Sequence, residues 1–126
     1  MTEEELKQRF KSFSLRIIKL VDHLPRTISS IAIAKQLIRS GTSPAANYRA
    51  ACIAKSDKDF INKLKIVEEE LDETTYWLDL IIEAEIMPRH LVEPLKTETT
   101  ELLMIIVKSI KTLRIRDNST GEFLVE

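Results

Sequence analysis

Few side chains in this sequence have the type and spacing that chemistry needs. The densest acidic group is Glu68-Glu69-Glu70, followed by Asp72-Glu73. Adjacent residues of a helix point in different directions, so these five carboxylates cannot converge on one site. Glu70 and Glu73, three apart, do share a side. A carboxylate buried there needs a cationic partner, and Arg39 and Arg49 are the candidates. Asn47, set among small apolar residues, needs hydrogen-bond partners if buried. Arg39, Asn47, Arg49, Glu70 and Glu73 are therefore expected to form a structural polar cluster that fixes helix register. No nucleophile or cofactor-holding group accompanies them. An enzyme is not expected, and no catalytic, cofactor-binding or metal-binding residue is assigned.

Other chemistries fail on spacing. Di-iron bundles use Glu-x-x-His, but Leu20 precedes His23 and Met87 precedes His90 at that position. Both histidines fall near expected helix ends, as capping or surface groups. The single Cys52 allows no internal disulfide or multi-cysteine metal site, and its alanine-rich setting suits a small packed residue. Tyr76-Trp77 could stack on a base, but packing against a core or interface is the better account of the pair. There is no Gly-rich phosphate loop and no strand to precede one.

These residues must be positioned by helices. Leu6, Phe10, Phe13, Ile17, Leu20 and Leu24 recur at steps of four and three and form one stripe of a first helix, ended by Pro25. Thr27–Ser29 can cap a second helix, with Ile31, Leu37 and Ile38 as its first apolar face. That helix is expected to continue, kinked near Gly41-Pro44, to about Ala54. Small residues at 41, 45, 46, 50 and 51 would let a neighbour approach closely. Ser56 with Asp59 reads as the start of a third helix. Phe60, Leu64, Val67, Leu71, Thr74, Leu78 and Ile81 give it a coiled-coil-like seam. A second apolar set (Ile61, Ile66, Trp77, Leu80, Ile82) suggests more than one neighbour. After Met87-Pro88, a fourth helix over about 90–114 carries Leu91, Leu95, Leu102, Ile106, Ile110 and Leu113. The fold expected is all-α, an antiparallel up-down-up-down four-helix bundle. It forms a single domain over 1–116, with a flexible C-terminal tail at 117–126.

Length and charge bound the rest. A chain of 126 residues is one domain. An acidic, polar start and a longest apolar run of six residues (Leu102–Val107) point to a cytoplasmic protein with no membrane partner. Net charge is −1, but residues 1–58 carry 11 Lys/Arg against 5 Asp/Glu and residues 59–126 carry 8 against 15. Attraction between helix pairs, within or between subunits, would account for this. So would a basic face for an anionic partner, with Lys7, Lys11, Arg16, Lys19 and Lys35 as its residues.

Ser40-Gly41-Thr42-Ser43, Ala46-Asn47-Tyr48-Arg49, Ser56, Asp59-Phe60, Lys63-Leu64, Glu70 and Asp72-Glu73-Thr74 with Tyr76-Trp77-Leu78 resemble the bacterial four-helix-bundle proteins labelled 23S ribosomal RNA intervening-sequence proteins. The resemblance runs from about Phe13 to Leu113. It departs at Pro44, where relatives carry a branched apolar residue, and at Ala50, where an acidic residue is common. The resemblance implies a four-helix bundle, commonly a ring-shaped homopentamer, without an established molecular function. A similar bundle is the accessory protein of retroelement reverse transcriptases, a basic pentamer that binds nucleic acid and the polymerase. The expectation is a non-enzymatic homo-oligomeric interaction module whose partner is RNA, DNA or a nucleic-acid-bound protein. The alternative is a structural or protein-docking accessory subunit, for example of such a polymerase.

Overall fold

The structure, a computed structural model, describes residues 1–119. It contains α1 (Glu3–His23), α2 (Ile28–Cys52), α3 (Asp57–Glu83) and α4 (Arg89–Ser119), and no strand among the described residues. The last helix thus runs through 117–119, which the sequence assigns to a tail. The remainder of that expected tail, 120–126, lies outside the described residues. Short connections force successive helices to run antiparallel. Each packs on its sequence neighbours and α1 closes the bundle against α4, while the diagonal pairs do not approach. The α2–α3 seam is the most extensive and α1–α4 the thinnest.

The helix ends are set by local chemistry. Thr2 accepts from the Glu5 N–H, and the Glu5 carboxylate accepts from the Thr2 N–H in return. The Thr27 and Ser56 hydroxyls accept from the Ser30 and Asp59 N–H groups at 3.2 and 3.1 Å. Each bond satisfies a donor that the first helical turn leaves unpaired. At the end of α3, Ile86 N–H donates to the Ile81 carbonyl and Glu85 N–H to that of Ile82, both at 3.0 Å. Glu85 takes φ 56° to make this Schellman turn, a conformation that favours glycine.

All six stripe residues of α1 are buried, from Leu6 to Leu24. On α3, Leu64, Val67, Leu71, Thr74, Leu78 and Ile81 are fully buried, with Phe60 half-buried. Each wholly buried large side chain contributes roughly 1.5–3 kcal/mol. The phase of α4 differs from expectation at its start. Leu91 is 54% exposed and Val92 is buried in its place, ahead of Leu95, Thr99, Leu102, Ile106 and Ile110.

α2 is the unusual element. It passes Gly41 and Pro44 as one helix. Its buried face is Ser30, Leu37, Ser40, Gly41, Pro44, Tyr48 and Ala51, while Ile31, expected inside, is exposed. Small inward residues bring backbones together: a Cβ on Gly41 would lie within 2.7–2.9 Å of the Ile17 side chain. One turn beyond Pro44, Tyr48 stacks on Phe10 with ring centroids 5.2 Å apart.

Candidate functional site

Where α2 crosses α3, Arg39 reaches two carboxylates. Nη1 donates to Glu70 Oε2 at 2.8 Å, and Nη2 donates to Glu73 Oε2. One turn along α3, Trp77 Nε1 donates to the same Glu73 oxygen at 3.0 Å. The Trp77 bond is the main cause holding the Glu73 carboxyl below the usual carboxylate range; burial opposes it and Arg39 reinforces it. Beneath these groups the buried hydroxyls of Ser40 and Thr74 lie 3.0 Å apart, and Thr74 Oγ1 is 2.8 Å from the Glu70 carbonyl. A carbonyl only accepts, so Thr74 donates there and Ser40 donates to Thr74. Register between α2 and α3 is thus fixed by one guanidinium outside and one hydroxyl pair inside.

Two residues expected in this cluster are elsewhere. Asn47 Nδ2 donates to the Ser43 carbonyl at 3.1 Å and to Ser43 Oγ at 2.9 Å, so its needs are met inside α2. Arg49 is exposed on the outer side of α2. Of the five residues expected together, only Arg39, Glu70 and Glu73 meet, and Trp77 joins them.

A second cluster has no counterpart in the sequence reading. Arg9 on α1 makes a bidentate pair with Glu98 on α4, at 2.9 and 2.8 Å, and reaches Glu101 at 2.8 Å. The two Arg9–Glu98 side chains are only 25% and 17% exposed. The Glu98 bonds hold the guanidinium even more firmly protonated than usual, against the cost of burial. Lys96 pairs with Asp79 at 2.6 Å between α4 and α3. All these polar groups tie helices together, and none points a nucleophile at open space.

The expected basic residues do not share one face. Lys7 is half-buried and pairs with Glu3 at 3.7 Å. Lys11, Arg16, Lys19 and Lys35 are exposed. Arg16 and Lys19 line, with His23, Leu20, Met87, Leu91 and Leu95, a groove of about 310 Å³ between α1 and the start of α4. Lys11 lies about 140° of helical rotation from Arg16, and Lys35 belongs to α2 beside Asp22 and Arg26. His23 sits at its helix end, Nδ1 2.7 Å from the Lys19 carbonyl.

Cys52 is half-buried near Tyr48, and burial pushes its thiol up, away from reactivity. Tyr76 is 56% exposed and meets Trp77 edge-on at 5.0 Å. Among the described residues, no group of His, Cys, Asp and Glu could hold a metal ion, and no helix is long and apolar enough to cross a membrane.

A family model for the 23S rRNA-intervening sequence protein matches residues 2–108. The chain belongs to that family. A crystal structure of a protein with unknown function from the S23 ribosomal protein family, from Bacteroides thetaiotaomicron VPI-5482, is 38% identical with a TM-score of 0.81, covering 88% of this chain and 99% of that one. No curated protein matches. In this intervening-sequence protein the residues that carried the resemblance have physical tasks. Ser40 bonds Thr74, Gly41 admits Ile17, Tyr48 stacks on Phe10, and Glu73 joins Arg39 to Trp77.

Proposed function

We propose that this intervening-sequence protein is a non-enzymatic, self-assembling helical module that engages RNA through cations of α1. The observation that carries the reading is how its cations are used. Arg9, Arg39 and Lys96 are held in interhelical ion pairs. Lys11, Arg16 and Lys19 stand in solvent along α1. Exposed cations can neutralise phosphates and release counterions. The family's name, which ties it to ribosomal RNA, supports RNA as the anionic partner. The exposed isoleucines of α2 support self-assembly.

Arg16→Glu/Lys19→Glu tests the RNA contact. Neither side chain helps hold the bundle, so helicity should stay unchanged while RNA affinity falls and its salt dependence flattens. Unaltered affinity in that variant would refute the assignment to α1.

A further inference from the structure

The α1–α4 seam is the thinnest in the bundle, and beyond the Arg9–Glu98 fork it opens into the groove of about 310 Å³. That groove has an apolar floor and a cationic rim. Leu20 and Leu95 are buried at its base and Met87 is half-buried. Leu91 also lines it and stands 54% exposed, because Val92 takes the core position. Arg16, Lys19 and His23 are exposed beside these residues, and no carboxylate is among the described residues lining the groove. Glu98, three residues beyond Leu95, is already held by Arg9. Among the described residues Arg16 and Lys19 make no ion pair. An anionic group with an apolar face therefore fits the groove in both charge and polarity.

Its dimensions narrow the choice. Leu91 and Leu95 span about 6 Å of α4. A docked peptide helix needs anchors at i, i+3 or i+4, and i+7, about 10 Å of apolar contact. One flat ring needs less. Arg16 and Lys19, three apart, share a side of α1, so both can reach phosphates next to a ring resting on Leu91. In a duplex the bases are stacked inside and their faces are closed to side chains, whereas bases of loops and bulges can be splayed out. We propose that the α1–α4 groove receives one unpaired base of an RNA, with the flanking phosphates on Arg16 and Lys19. This names the RNA feature recognised at the α1 site proposed above, and rests on that reading. Leucine and methionine give the base apolar contact without the stacking of an aromatic platform, so the expected preference is several-fold.

Fluorescence anisotropy tests it on the full chain, with a hairpin RNA carrying an unpaired loop and a duplex RNA of equal phosphate count. Wild type should bind the hairpin at least fivefold more tightly. Leu91→Gln changes a largely exposed side chain, and circular dichroism checks that the bundle persists. This variant should lose about three- to tenfold in hairpin affinity, with the salt dependence unchanged and duplex affinity unaltered. Photo-crosslinking of wild type to the hairpin with 4-thiouridine in its loop should label residues within 16–23 or 87–95. Equal affinity for the two RNAs overturns the base site and leaves the RNA reading standing. So does a Leu91→Gln loss that is absent or shared by the duplex, or a crosslink found only elsewhere. If instead an acidic leucine-containing peptide binds wild type and is lost in Leu91→Gln while the hairpin is not, the groove serves a protein and the base site is overturned. Absence of salt-sensitive binding to either RNA overturns both this inference and the RNA reading.

Discussion

A Cβ added to Gly41 of α2 would lie 2.7 Å from Cγ2 of Ile17 on α1. Ile17 is wholly buried and has nowhere to retreat. Gly41→Ala gains up to about 1 kcal/mol of helix propensity, but overpacking a filled core costs about 1–3 kcal/mol. The account predicts net destabilisation of about 1 kcal/mol in urea denaturation. Ile17→Val removes one of the clashing atoms. In the Gly41→Ala background it should cost less than it does alone.

The α1–α4 seam depends on Arg9. It is the thinnest contact in the bundle, and its fork with Glu98 is mostly sheltered from water. Arg9→Ala leaves Glu98 without its partner and should cost about 2 kcal/mol. Arg9→Lys keeps the charge but loses the bidentate geometry, so its cost should fall between wild type and Arg9→Ala. Urea midpoints for the three proteins give the order.

Glu73 makes stability depend on acid pH. Its folded pKa lies below the ordinary value of 4.5, chiefly through the Trp77 bond and then Arg39. A lowered carboxylate pKa contributes stability that is present above the unfolded pKa and is lost as pH falls through the folded one. Wild-type stability should therefore drop below about pH 4.5 more steeply than that of Glu73→Gln, with Trp77 emission changing over the same range. At neutral pH the variant should lose only about 1 kcal/mol, since Arg39 is half exposed and solvent screens the pair.

Glu85 holds a positive φ to close the Schellman turn of α3. Glycine adopts that conformation without a Cβ penalty. Glu85→Gly should stabilise the chain by about 0.5–1 kcal/mol, read as a rise in melting temperature.

The α1 stripe and the α3 seam from Leu64 to Ile81 were legible, because large apolar side chains at helical spacing leave little alternative packing; at the ends of α3, Ile61 and Ile82 of the second apolar set are buried instead, and Phe60 is only half-buried. α2 misled in part. Apolar periodicity marks the face that water avoids, and on this helix the core takes mostly small residues beside Leu37 and Tyr48, while Ile28 and Ile31 stand exposed. Leu91 and Val92 are adjacent and equally apolar, so local pattern could not decide which turns inward. Arg39 with Glu70 and Glu73 could be anticipated from two neighbouring helices. Arg9 could not, since Glu98 is 89 residues away, and periodicity gives a residue's angle about its own axis without saying which helix lies there. Asn47 was assigned a distant partner when Ser43, one turn back, was sufficient.

The central claim is that the cations left free by the bundle meet RNA phosphates. The direct measurement is a filter-binding titration of wild-type protein against a structured RNA at several salt concentrations. Three phosphate contacts predict micromolar-range binding that weakens about 20- to 40-fold between about 50 and 200 mM salt. Absence of salt-sensitive binding at micromolar protein would contradict the account.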